Sequence, residues 1–352
     1  MRAVHVVVPD GIDDPARPSG GNTYDRHLCR ELGSVGWATH AHAVPGFWGP
    51  PGGESFAALE AAVQQIPDDA IVLLDGLIAS TAPEVLVPQA RRLRLVVLVH
   101  MPLGHRPLDE AARRREGAVL AAAAAVVTTS AWTRRRLLEL YGLCSRLVQV
   151  AEPGVEAAEL APGTAAGGAL LCVGVVTFEK GQDVLLDALE TVSGPSWSCT
   201  CVGSLDSDPE FVEDLRRRLR DAGLGDRVSF TGTRTGDDLG RCYASADLLV
   251  AASRAETYGL VLTEALARGL PVLAADVGGV AEALGHGAAG DPPGLLVAPE
   301  DPVALGAALR RWLSDAGLRA HLRRAARERR ESLPRWSTTA SDVARVLAAA
   351  GP

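Results

Sequence analysis

The chain has 352 residues, of which 47% are hydrophobic and 22% charged, with a formal net charge of −8. That length exceeds what one hydrophobic core holds, so two domains of roughly 150 to 180 residues are expected. The acidic balance and the lack of a like-charge block exclude a nucleic-acid arm and a disordered tail, and no run reaches the roughly 18 apolar residues of a membrane span. Six scattered cysteines read as free thiols in a reducing compartment. Residues 1–9 read as a first strand and not as a signal peptide. A cytoplasmic protein is the expectation, with membrane association disfavoured and a lipid acceptor left open.

Taken in chain order, short apolar runs at 4–8, 71–74, 95–99, 125–128 and 148–151 alternate with helical patterns such as 24–32 and 133–140. This alternation is the mark of a parallel sheet covered on both faces. A stretch rich in Ala, Pro and Gly over 153–168 then reads as a linker. Strands are expected again at 170–173, 198–202, 227–230, 248–251, 272–274 and 294–297, with an amphipathic helix over 183–191. After Asp301 the pattern is helical, broken near Pro334, with a last helix over 338–349.

In such sheets ligands gather where strands end and helices begin. Three segments fall there. Ser19-Gly20-Gly21-Asn22 follows the first strand, and its missing side chains would let backbone approach a phosphate; the alternative is a surface turn. Lys180-Gly181 opens a helix after the strand at 170–173. Lys180 is the one lysine among 35 basic residues, which argues that a point charge is wanted there. Arg254 to Gly259 follows the strand at 248–251 and places Glu256 in a loop and Glu264 in an otherwise apolar helix. A carboxylate beside Leu262, Ala265 and Leu266 needs hydrogen-bond partners, and sugar-nucleotide hydroxyls would supply them. Asp206 and Asp208, in a loop after a strand, fit turn formers as well as metal ligands. No G-x-G-x-x-G follows the first strand, which disfavours a nicotinamide enzyme.

The glutamate pair, the Lys180-Gly181 turn, Phe230-Thr231-Gly232, Ala244-Ser245-Ala246-Asp247 and Asp276-Val277-Gly278-Gly279-Val280-Ala281-Glu282 together resemble the retaining glycosyltransferases of family 4. The resemblance implies an α/β fold of the GT-B type: two Rossmann-like doubly wound parallel-sheet domains facing a cleft. The acceptor-side domain would span 1–155 and the donor-side domain 166–330, with 331–352 a terminal helix crossing back to the first domain. It implies that Glu256 binds donor-sugar hydroxyls, Glu264 the ribose, the amides of Tyr258, Gly259 and Leu260 the sugar and phosphates, and Lys180 the diphosphate. Gly20 and Gly21 would approach the same phosphates, and His100 would stand near the transferred sugar. Family members often carry an arginine where this chain has Val175, and Arg254 or helix N-terminal amides are expected to compensate.

The function expected is retaining transfer of a hexose-type sugar from a nucleotide diphosphate sugar to a small-molecule acceptor, with no cofactor and no essential metal. Loops over 11–22 and 100–107 would read the acceptor. A sugar-nucleotide epimerase or other GT-B enzyme, or a non-catalytic sugar-nucleotide-binding protein, would use the same fold.

Overall fold

A computed structural model describes residues 2–15, 18–46, 53–105, 109–194 and 196–351. The chain divides into two compact units. One holds Pro18–Gly154 with the first strand and the C-terminal helix, and the other holds Val155–Leu333.

In the first unit β1 (Arg2–Pro9), β2 (Trp37–Val44), β3 (Ile71–Asp75), β4 (Arg94–Val99), β5 (Ala125–Thr128) and β6 (Val148–Val150) form a sheet in the order β2, β1, β3, β4, β5, β6. All pairs are parallel. The central strands are apolar on both faces because helices cover both, and Val72, Leu74, Val97, Val99 and Val126 are fully buried. β2 is the one strand the sequence does not announce. It is an edge strand whose Thr39, His40 and His42 break any apolar run, and His5 Nδ1 lies 2.9 Å from His42 Nε2 on one of its faces.

In the second unit β7 (Ala169–Val173), β8 (Ser198–Val202), β9 (Val228–Phe230), β10 (Leu248–Ala251), β11 (Val272–Ala275) and β12 (Gly294–Val297) form a parallel sheet in the order β12, β11, β10, β7, β8, β9. Counted from its own first strand this is the 3-2-1-4-5-6 order of the dinucleotide-binding fold, whereas the first unit begins 2-1-3-4-5. Cys172, Cys199 and Cys201 are free and buried in its core, packed as small hydrophobes.

One anchor fixes the start of the second unit. Asp247, fully buried, accepts from the amides of Thr164 and Ala169 at 2.5 and 2.9 Å and pairs with Arg323 at 2.6 Å, which ties the segment before β7 to the sheet. The Ala244-to-Asp247 motif is therefore structural. The last helix, Trp336–Ala350, starts two residues before the expected 338 and belongs to the first unit. Its Trp336 stacks on His27 at 4.4 Å and meets Tyr24 edge-on at 5.5 Å.

Candidate functional site

In an open parallel sheet the strand order reverses at one point, and loops from the two strands beside it leave in opposite directions. In the second unit that point lies between β7 and β10. The turn after β7 carries Lys180, and the loop after β10 carries Glu256. The two meet: Lys180 Nζ donates to Glu256 Oε1, with the ammonium 28% and the carboxylate 11% exposed. Ser253 Oγ donates to the same oxygen at 3.1 Å. Both loops are held from below. Gly181 takes φ +66°, and a Cβ there would stand 2.0 Å from the Ala252 carbonyl oxygen. Gly278 takes φ +60°, and its Cβ would stand 1.6 Å from the Glu256 carbonyl oxygen, so only glycine lets this turn support the Glu256 loop. The Gly279 amide then donates to that carbonyl at 3.1 Å.

Arg254 is engaged by side chains and backbone of its own unit. Its Nε donates to Glu300 at 2.7 Å, one nitrogen to the Phe178 carbonyl and Asp183 at 2.6 and 2.8 Å, and the other to Asp183 at 2.7 Å. Its guanidinium also lies 3.8 Å over the Phe178 ring. A guanidinium has five donors, and these contacts commit four. Arg254 is thus a clamp between the Lys180 turn and the β10 loop, not a free cation. Burial pushes the Asp183 carboxyl up, but the hydrogen bonds and charge of Arg254 outweigh it and hold the pKa below the ordinary value.

Glu264 lies in the short helix Leu260–Leu266, which begins at Gly259 beside the buried Tyr258. The Leu262 amide donates to the Gly259 carbonyl at 3.0 Å, and the Leu260 and Val261 amides, at the first two helical positions, have no intrahelical acceptor. The hydrogen-bond partner that the apolar helix demands of Glu264 comes in part from the protein itself: Tyr243 donates its hydroxyl to Oε2 at 2.7 Å. Burial raises the Glu264 pKa, the Tyr243 bond and the Arg268 charge pull it back, and it remains raised. Tyr243 was not foreseen; the aromatic ring in an acidic helix, Gly236–Ala244, gave no signal of its partner.

The first unit's reversal lies between β1 and β3. Ser19 caps the helix Gly20–Glu31 by accepting from the Asn22 amide at 3.0 Å, so Gly20 and Gly21 form its opening turn. Gly21 packs on the ring of His100, which follows β4; a Cβ would lie 3.2 Å from Cδ2. His100 Nε2 lies 2.9 Å from Asp25 Oδ1 and 3.5 Å from Asp75 Oδ2. Neither acid was foreseen. Asp75 ends β3 as His100 follows β4, so the strand-end rule could have found it, whereas Asp25 sits inside a helix and needed the fold. Asp75 also accepts from the Leu77 and Ile78 amides at 2.7 and 3.3 Å, capping Gly76–Thr81.

Of the loops expected to read an acceptor, residues 16–17 and 106–107 lie outside the described residues. Leu103 and Gly104 donate their amides to the buried Glu116 at 3.0 and 2.9 Å, which fixes that part of the second loop. Asp208 accepts from the Phe211 amide at 3.1 Å and caps a helix. Among the described residues no helix is long and apolar enough to cross a membrane.

Comparison with known proteins gives this architecture its family. The model for glycosyl transferases group 1 matches residues 167–329, and that for glycosyltransferase family 4 matches residues 3–159. The chain belongs to the family 4 glycosyltransferases. It is 33% identical over 231 residues to the D-inositol 3-phosphate glycosyltransferase of Salinispora tropica, covering 59% of this chain and 47% of that one. It is 34% identical over 148 residues to the lipopolysaccharide core biosynthesis mannosyltransferase LpsB of Rhizobium meliloti, 41% of each chain. The chain spans about half the length of the curated relatives it matches. Its fold is similar to sucrose-phosphate synthase from Thermosynechococcus elongatus, with a TM-score of 0.81 at 22% identity over 98% of both chains. It is also similar to Anabaena HepE in complex with UDP-glucose, with a TM-score of 0.78 at 19% identity over 99% of this chain and 100% of that one. Such neighbours identify the fold of this family 4 chain as GT-B.

Proposed function

We propose that this protein transfers a hexose-type sugar from a nucleotide diphosphate sugar to a small acceptor with retention of anomeric configuration and without an essential metal. The observation that carries the reading is the Lys180–Glu256 pair at the strand reversal of the second unit. A nucleotide diphosphate sugar offers each partner a better match than the other: phosphate oxygens for the ammonium, hydroxyls for the carboxylate.

As the glycosidic bond to the leaving phosphate lengthens, negative charge collects on the diphosphate. A fixed ammonium then gains more from the transition state than from the ground state, which is the condition for rate acceleration. Glu256 orients the sugar, the first-turn amides at Gly259 and Leu260 face the phosphates, and Glu264, kept in place by Tyr243, accepts from the ribose. His100 is assigned to the transferred sugar. Arg254 shapes the loop and takes no part in diphosphate binding.

The names of the relatives supply the first compounds to test. UDP-glucose comes from the HepE complex, and phosphorylated polyols and sugars come from the inositol-phosphate and sucrose-phosphate enzymes. Incubation of the protein with UDP-, GDP- and ADP-sugars, with and without these acceptors, is expected to give an axial-to-axial or equatorial-to-equatorial product by NMR, unaffected by EDTA. An inverted product, or activity lost on chelation and restored by manganese, would overturn the reading.

A further inference from the structure

The cluster around His100 has a charge problem that its geometry resolves. Asp25 is 3% and Asp75 6% exposed, and Asp25, Asp75 and His100 each bring an atom within 4.8 Å of the others. Asp25 Oδ1 faces His100 Nε2, while Asp25 Oδ2 is buried and has no hydrogen-bond donor. Asp75 Oδ1 is occupied by two amides, and its Oδ2 turns toward the imidazole.

With both acids ionised, two negative charges would be buried against one ring, and Asp25 Oδ2 would remain unsatisfied, each a cost of several kcal/mol order. A proton shared between the acids, which each bring an oxygen within 4.8 Å of the other, leaves one negative charge. A second proton on the ring then makes the cluster neutral: one shared carboxyl proton, one carboxylate charge, one imidazolium.

We propose that Asp25 and Asp75 are positioning residues that share one proton and hold His100 by Nε2 as an imidazolium, so that Nδ1–H is presented as a fixed cationic donor to a substrate oxygen. The last clause rests on the function proposed above; the proton arrangement does not. Among the described residues Nδ1 makes no hydrogen bond, and the ring is 18% exposed. The charged groups acting on the ring are these two acids. Tyr24, on the helix of Asp25, meets it edge-on at 5.3 Å but donates its hydroxyl to the Ala151 carbonyl at 3.0 Å. Asp342 of the terminal helix acts on Tyr24 and not on His100. Gly21 closes the remaining side. The electrostatics run the same way. Burial lowers the His100 pKa, yet the charge and hydrogen bond of Asp25 and the charge of Asp75 carry it above 6.5. Burial and the Asp25 charge push Asp75 up to about 7.

Nitrogen NMR of histidine-labelled wild-type protein tests this directly. His100 is expected to titrate above 6.5, with both ring nitrogens protonated on the acid side. Asp25→Asn should bring the midpoint to or below 6.5, since burial then acts with less opposition. Asp75→Asn should keep it above 6.5, because an amide N–H can replace the shared proton. A neutral ring at pH 7 in the wild type overturns the proposal even if no variant folds, and so does an Asp25→Asn ring that titrates as the wild type. In transfer assays the alkaline limb of kcat/KM should move to lower pH in Asp25→Asn, with about tenfold loss per unit of displacement. A cationic ring without detectable transfer would sink the proposed function alone, whereas transfer with a neutral ring would sink this inference alone.

Discussion

In Val155–Leu333 the chemistry at the strand reversal is a lysine against a glutamate; in Pro18–Gly154 it is two acids against a histidine. The first arrangement is compensated at once, by two opposite charges in partial contact with solvent. The second is buried and balances only if protons are shared. Equivalent places in two related sheets therefore suit different tasks. A partly exposed ion pair can part to admit an anionic, polyhydroxylated ligand, while a buried proton-sharing cluster can hold one ring still.

The sharpest way to break this contrast is Glu256→Ala. If the glutamate orients the donor sugar, turnover should fall on the order of a hundred- to a thousandfold with the melting temperature nearly unchanged. Near-normal turnover would end the assignment. The second test concerns the buried cluster through pH. A carboxyl whose pKa rises on folding makes the folded state bind more protons than the unfolded chain between the two values, so stability falls as pH climbs through that window. For Asp75 the window runs from 3.8 to about 7. Asp75→Asn should remove that loss, making the variant more stable than the wild type at pH 8 by an amount on the order of a few kcal/mol and equal to it near pH 4, by urea unfolding. A difference independent of pH would contradict the raised acid.

Arg254→Ala separates a structural cation from a binding one. With Asp183 left partly buried and unpaired, it should cost about 1–3 kcal/mol in urea unfolding while donor affinity, measured on the folded protein, stays within about twofold. A large loss of affinity at unchanged stability would return Arg254 to the diphosphate. The smallest effect is expected from Tyr243→Phe, which removes one hydrogen bond from Glu264 and should cost about 1 kcal/mol while raising the carboxyl pKa further. An unchanged carboxyl pKa would show that the tyrosine does not hold it.

The same contrast explains what the sequence disclosed. Lys180, Glu256, Gly259 and Glu264 lie in short segments whose neighbours already state the problem: a lone lysine after an apolar strand, and an acid inside an apolar helix. Gly278 and Gly279 stood out as a motif, though their work, supporting the Glu256 carbonyl, needed coordinates. Every strand with a continuous apolar run was legible, and β2 was not, because an edge strand can afford Thr and His. Asp25, Asp75 and His100 come from three elements separated by up to 75 residues, and only the strand order brings them together. The partners of Arg254 were hidden for the same reason: Asp183 and Glu300 lie 71 and 46 residues away.

One titration bears most directly on the paired charges of the second unit: calorimetric binding of UDP and UDP-glucose to the wild type, Lys180→Ala and Glu256→Ala. Lys180→Ala should lose affinity for both ligands, and Glu256→Ala should keep UDP but lose whatever the glucose adds. Unchanged affinities in both variants, or equal loss of UDP and UDP-glucose on removing the glutamate, would contradict the division of labour between the two side chains.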